Sequence, residues 1–307
     1  MKFLICSDGS AQAENAVRFG GLIAAASSAE VTLLGISEHP GESNALLDSL
    51  KRGQQLLADR KVAVELVSKS GHPVEEILKR TQETHYDLIV IGAVRKGMSG
   101  PFWMSAKAYK IIKETKPSVL TVVGNRSTLK RILICTGGRQ YIEKAIALAG
   151  QIAVANGAVV CLFHVLPEPP AIYSDLMKRE VDVELVLNSQ SELGENLRRE
   201  KMSLEQFGVQ VEVRLEHGIV HQEILTELRR GQYDMVITGS SLAAGPVQTY
   251  IMGDVTREIV NRADCPVLVV RGAEGIRGLL HNLKNLYGKA VQTFGTPKPP
   301  VAPPGSK

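Results

Sequence analysis

The chain repeats itself, and that repeat limits its fold more than any other feature. LICSDGS at residues 4–10 returns as LICTGGR at 133–139, an offset of 129. GHPVEEILKRTQETHYDLIVIGA at 71–93 returns as GIVHQEILTELRRGQYDMVITGS at 218–240, an offset of 147. KPSVLTVV near the end of the first copy matches DCPVLVV near the end of the second. The later offset is larger by 18 residues, and the proline-rich LPEPPAIYSDLMKREVDVEL marks where they enter. A repeat of this length describes two related domains rather than a solenoid of short units. The boundaries fall at 1–125 and 129–272, with an amphipathic and proline-rich tail at 273–307.

Within each copy, apolar runs alternate with helix-period stretches. In the first copy the pattern predicts strands at 2–6, 30–36, 62–67, 87–91 and 118–123, with helices at 11–26, 43–59, 73–83 and 102–115 between them. Ser10 suits a helix cap, and Pro73 suits a first helical turn. Runs such as DLIVIG and SVLTVV are continuously apolar. Continuous runs belong to strands buried on both faces, as in a parallel sheet. The expected fold is therefore α/β: two tandem, doubly wound, Rossmann-like parallel-sheet domains. Such a sheet places its ligand crevice at the carboxyl ends of its strands, where the strand order reverses. CSDGS ends the first strand and GAVRKGMSG ends the fourth.

Composition narrows the function. With 44% apolar and 22% charged residues, the chain has the balance of a soluble globular protein. A formal net charge of +4 and 5% aromatic residues argue against a nucleic-acid partner, which calls for a basic face or stacking platforms. No apolar run reaches membrane-spanning length, and MKFLICSDGS is too short in its apolar part for a signal peptide. Cys6, Cys135, Cys161 and Cys265 form no C-x-x-C pair and read as reduced core thiols of a cytoplasmic protein. His72, His85, His217 and His221 share no metal-ligand spacing between the copies. No Ser/His/Asp or Cys/His arrangement falls in one crevice, so the sequence shows no catalytic constellation and leaves the question of an enzyme open.

LICSDGSAQAENAVRFG, DLIVIGAVRKGMSGPF and ADCPVLVV resemble the universal stress protein family, across both copies. The resemblance implies a tandem member whose copies pair through their last strands, Ser118–Val123 and Pro266–Arg271, as a pseudo-dimer. It also implies binding of ATP or another adenine nucleotide, with magnesium left unspecified. The family's site has an acid after strand one, near the nucleoside. A loop of form G-x2-G-x9-G-[S/T] after strand four wraps the phosphates. Glycines allow backbone N–H groups to approach phosphate closely, and a helix start favours an anion.

Carried over position by position, Asp8 keeps the acid, with Gly9 and Ser10 beside it, and Gly92 keeps the opening glycine. Arg95 replaces the second glycine, and the late glycine falls near Met104 and Ser105. Gly97 keeps the loop pliable, while Arg95 and Lys96 add charge that would offset lost backbone donors. In the second copy Gly137 replaces the acid, Leu242 the second glycine, and Asp254 follows Gly253 where a hydroxyl is expected. A carboxylate about 4 Å from a phosphate costs on the order of 4 kcal/mol at an effective dielectric of 20. That exceeds the roughly 1.5–3 kcal/mol of one donor to a charged acceptor.

The first copy is thus the expected nucleotide site of a stress-linked regulator, with a second copy of the chain as a further candidate partner. Two alternatives stay open: an interaction protein with degenerate crevices, and a slow nucleotide hydrolase. Plainer readings stand beside these. Asp8 also fits a cap for helix one, Arg95 and Lys96 fit a solvated loop, and Lys107, Lys110, Lys113 and Lys116 fit a solvated helix face. In the tail, Ile276, Leu279, Leu280, Leu283, Leu286 and Tyr287 form an amphipathic stripe suited to packing on the second domain.

Overall fold

The computed structural model describes residues 1–39, 43–93, 105–137, 143–167, 181–242, 250–251 and 253–271. The first half runs β1 (Lys2–Ser7), α1 (Ala11–Ala26), β2 (Glu30–Ser37), α2 (Ser43–Ala58), β3 (Val64–Ser70), α3 (Pro73–Glu83), β4 (Leu88–Gly92), α4 (Ala106–Glu114) and β5 (Ser118–Val122). The second runs β6 (Arg131–Cys135), α5 (Glu143–Asn156), β7 (Val159–Leu166), α6 (Val183–Leu187) and α7 (Glu192–Glu205). It continues through β8 (Val211–His217), α8 (Val220–Gly231), β9 (Met235–Leu242), β10 (Tyr250–Ile251), α9 (Asp254–Arg262) and β11 (Val267–Arg271). The amphipathic tail lies outside the described residues.

Ten strands join one sheet in the order β3-β2-β1-β4-β5-β11-β9-β6-β7-β8, with β10 set off against β9. Neighbours within each half run parallel along this order, as the continuous apolar runs imply. The halves meet where β5 and β11 pair antiparallel, Val267 opposite Thr121, Leu268 opposite Leu120 and Val269 opposite Val119. The last strands of the repeat therefore fuse two five-stranded sheets into a pseudo-dimer, and each covers the other's edge. One apolar layer, with α1, α2, α5 and α7, covers one face through both halves. A second, with α3, α4, α8 and α9, covers the other.

Two elements of the first half differ from the sequence pattern by more than one residue. β3 occupies 64–70 rather than 62–67, because Gly35, Ile36 and Ser37 of β2 pair with Ser68, Lys69 and Ser70. β3 is the outer strand and mostly exposed, so its apolar pattern is weak. α4 begins at Ala106 rather than 102, because the Ser105 hydroxyl accepts the Ala108 N–H at 3.2 Å and caps the helix there.

The repeated Tyr-Asp pair has a structural role in both halves. Asp87 Oδ2 accepts the backbone N–H of Lys2 at 2.8 Å, and Asp234 Oδ2 accepts those of Lys130 at 2.7 Å and Arg131 at 3.1 Å. Each aspartate thereby fixes the start of its half's first strand. Tyr86 and Tyr233 are buried beneath. Tyr86 receives an N–H from Arg80 at 2.9 Å and donates to Thr32 at 3.1 Å. In the second half Glu227 stands where Arg80 stood, and Tyr233 donates to it at 2.6 Å. Arg214 on β8 balances that reversal with a 3.1 Å ion pair to Glu227.

Candidate functional site

In the first half the chain lays β1, β2 and β3 outward, then returns to place β4 on the other side of β1. The strand order reverses between β1 and β4, so the crevice opens at Ser7 and Gly92. Beyond β1 the backbone turns sharply. Ser7 Oγ accepts the Gly9 N–H at 3.2 Å, and Asp8 Oδ1 accepts the Ser10 N–H at 2.9 Å. Gly9 has φ +80, a conformation that glycine adopts without a Cβ penalty, and lies against Leu46 and Ser49 of α2. Ser10 Oγ then accepts the Ala13 N–H at 3.2 Å and caps α1. Ser10, not Asp8, is therefore the helix cap. Asp8 is exposed, one oxygen holding the turn and Oδ2 with no hydrogen bond among the described residues.

Gly92 closes the other side. A Cβ there would lie 2.6 Å from the Gln12 carbonyl oxygen and 3.0 Å from the Ala13 nitrogen. Only glycine lets the end of β4 approach the first turn of α1 this closely. The sharp turn and this approach bring Asp8, Gly9, Ser10 and Gly92 to one end of the sheet. Ser105 starts α4, its hydroxyl engaged as a cap. Lys107 leaves the solvated stripe: its ammonium pairs with Glu38, just past β2. That ion pair ties the β2 end to the first turn of α4. Arg95, Lys96 and Gly97 lie outside the described residues.

The second half keeps the topology, with β6 between β7 and β9, but not the chemistry. Gly137 follows Thr136 where Asp8 follows Ser7. Gly253 caps α9 without a side-chain bond, and Asp254 sits in its first turn. A feature absent from the first half lies beside Thr136. Its hydroxyl donates to Glu200 of α7 at 3.2 Å, and Glu200 Oε2 is enclosed without a hydrogen-bond partner among the described residues. Burial pushes the Glu200 carboxyl up to about 7, against the Thr136 bond and the Arg199 charge, which lower it. Sequence reading missed Glu200, although the signal was present: it falls on the Leu193, Leu197, Leu204 stripe of α7.

Elsewhere, a cleft of about 1050 Å³ opens at the opposite, amino-terminal end of the second-half strands, lined by Arg126, Arg229, Tyr233, Asp234, Arg262 and Cys265. Arg126 already pairs with Asp234 at 3.3 Å, and Arg262 with Glu258 at 2.9 Å. This end lies away from the strand-order reversal. None of the four cysteines forms a disulfide. Burial pushes the thiols of Cys6 and Cys161 up to about 12 and about 11, which makes them poor nucleophiles. His217 ends β8 and His221 lies on α8, with Gly218 between them at φ +146. Among the described residues no group of three or more His, Cys, Asp or Glu side chains is placed to hold a metal, and no helix is long and apolar enough to cross a membrane.

Comparison with known proteins agrees with this architecture. The family model described as Universal stress protein family matches residues 1–122 and again 128–271. A universal stress protein of Methanocaldococcus jannaschii is 27% identical over 153 residues, which is 49% of this chain and 88% of that protein. A putative universal stress protein of Staphylococcus haemolyticus is 31% identical over 152 residues, 48% of this chain and 87% of that protein. The crystal structure of a universal stress protein from Archaeoglobus fulgidus superposes with TM-score 0.64 at 17% identity, covering 88% of this chain and 98% of that one. A putative universal stress protein from Pseudomonas aeruginosa gives TM-score 0.65 at 15% identity, covering 94% and 97%. At that identity the likeness speaks for the fold. With both halves matched in order and the sheet topology shared, the chain belongs to the universal stress protein family, as a tandem member with two copies of its domain.

Proposed function

We propose that the protein is a stress-response regulator that binds an adenine nucleotide, ATP or a close relative, in its first half. The observation that carries this reading is the exposed Asp8 carboxylate at the strand-order reversal, one oxygen fixed on Ser10 N–H. A carboxylate held this way presents its second oxygen to hydroxyl or amino donors of a nucleoside. Gly92, Ser105 and the α4 amino end then border the phosphate side, and Arg95, Lys96 and Gly97 supply the loop. The second half lacks the acid and places Asp254 where a phosphate would approach. Among the described residues no metal-holding cluster stands beside the crevice, and a ligand-responsive regulator is preferred to a hydrolase. The four reduced thiols and the absence of any membrane-length helix among the described residues fit a cytoplasmic setting. Equilibrium titration of the full chain with ATP, AMP and pyrophosphate tests the reading. Binding of ATP and AMP but not pyrophosphate is expected. Failure of both nucleotides to bind would leave the interaction-protein reading.

A further inference from the structure

Glu200 is 7% exposed, yet it has one hydrogen-bond partner among the described residues, the Thr136 hydroxyl at 3.2 Å. Its Oε2 is enclosed and, among the described residues, unpartnered. An ionised carboxylate has about four acceptor sites, and enclosing it with one of them filled is unfavourable. Among the described residues, no neutralising cation is in contact with it. On α7 itself, Arg199 is engaged by Asn196 Oδ1, and Arg198 donates to the carbonyls of Leu187 and Ser189. β6 faces this side with Ile132 and Ile134, its Cys135 thiol packing in the layer on the other face, and β7 brings the His164 ring, which lies 2.8 Å from the Thr136 carbonyl oxygen. The β8 residues with the parity of the α7-facing Leu215 are Val211, Val213 and, at the strand end, His217, whose ring lies 3.3 Å from the Pro167 carbonyl oxygen; its Glu212 pairs with Arg131 on the other face. The α5 residues Ile146–Asn156 include no ionisable side chain. At the second-half offset the first half has Gly53 at this position, so the device belongs to the second half alone.

Thr136 is the residue through which β6 passes into the loop leading to α5. Its N–H donates to Phe163 O at 2.9 Å, its carbonyl faces His164, and its hydroxyl holds Glu200. We propose that Glu200 is a proton-operated latch on the strand-end crevice of the second half: protonated, it stays enclosed and ties α7 to the end of β6; ionised, it draws water in and releases that end. The group's elevated midpoint, about 7, places the change in the physiological range. The sign follows from proton binding. The folded carboxyl is protonated more readily than the unfolded one, whose ordinary value is 4.5. The closed state is thus fully favoured below about 4.5 and loses ground as pH rises to about 7, by up to roughly tenfold per pH unit. In function, the second half would answer to pH while the first half answers to its ligand.

Two measurements on the full chain test this. The first is the carbon-detected NMR titration of the Glu200 carboxyl, expected to have its midpoint near 7. The second is amide-exchange protection of Thr136, corrected for intrinsic pH dependence, from pH 5 to 8. Protection should fall with rising pH in the parent and stay level in Glu200→Gln, which keeps the shape and cannot ionise. A Glu200 midpoint near the ordinary glutamate value overturns the proposal. So does a Glu200→Gln protein with the parent's pH dependence, since that would assign the response to His164. Should Glu200→Gln fail to fold, the carboxyl titration of the parent decides alone.

Discussion

Leu120 on β5 and Leu268 on β11 stand directly opposite one another across the single antiparallel junction of the ten-stranded sheet, and both are fully buried. Their neighbours Val119 and Val269 do the same on the opposite face. Fully burying one such side chain contributes about 1.5–3 kcal/mol. The junction is therefore a continuous part of both apolar layers, not a contact between finished domains. Leu268→Glu or Val269→Glu should make the stretch between β5 and β6 a preferred site of limited proteolysis and lower the denaturant midpoint. A variant as protease-resistant as the parent would show that the halves are held otherwise.

Gly92→Ala tests the close approach that shapes the first crevice. The new Cβ would meet Gln12 backbone, which cannot turn aside as a flexible side chain would. Overpacking of this kind costs about 1–3 kcal/mol. Thermal unfolding should shift down by that amount, and nucleotide binding should weaken as β4 moves from α1. The same change at Gly124, where an added Cβ meets nothing within 4 Å, is not a neutral control, because that residue has φ +72.

Arg214→Met tests the reversed charge network. It leaves Glu227, 2% exposed, with the Tyr233 hydroxyl as the one donor to its carboxylate among the described residues. Breaking a fully buried pair from one side costs about 3 kcal/mol, and with the Arg214 side chain 43% exposed the loss here should be smaller. Chemical denaturation of Arg214→Met, compared with a double variant that also carries Glu227→Gln, should show the double variant recovering much of the loss. If the single variant is as stable as the parent, Arg214 is a surface residue.

Much of the fold was legible because burial on both faces writes itself into sequence. The runs FLIC, DLIVIG and SVLTVV left no alternation to misread, and Ser10 and Pro73 marked helix starts. The outer strand β3 was misplaced because its side chains are largely exposed and its register comes from β2. At the site, Asp8, Gly9, Ser10 and Gly92 were readable as a strand-end turn and its close neighbour. Which residue caps α1 was not, since Asp8 and Ser10 both suit that role and only the turn geometry separates them. Glu200 stood out only by its place on the apolar stripe of α7, and the contacts Glu38–Lys107 and Glu200–Thr136 were not legible, because the partners lie 69 and 64 residues apart.

Arg95→Ala separates phosphate contact from nucleoside contact. With a glycine of the loop replaced by Arg95, side-chain cations should supply much of the pull on phosphate. One charged donor is worth roughly 1.5–3 kcal/mol, so ATP affinity at low salt should fall at least about tenfold while adenosine affinity holds. ATP binding by the parent should also weaken with ionic strength, as the screening length drops to roughly 10 Å at 0.1 M. Unchanged ATP affinity in Arg95→Ala would make it a solvated loop residue.

The central claim is that one half of the chain binds nucleotide and that Asp8 faces the nucleoside there. The most direct test is the ATP and adenosine stoichiometry and affinity of the full-length parent and of Asp8→Ala, by calorimetry at low salt. The account predicts one ATP per parent chain, with affinity for both ligands falling about tenfold or more in Asp8→Ala, in line with one lost charged hydrogen bond. Two ATP molecules per parent chain, or an Asp8→Ala protein that binds ATP and adenosine as tightly as the parent, would contradict it.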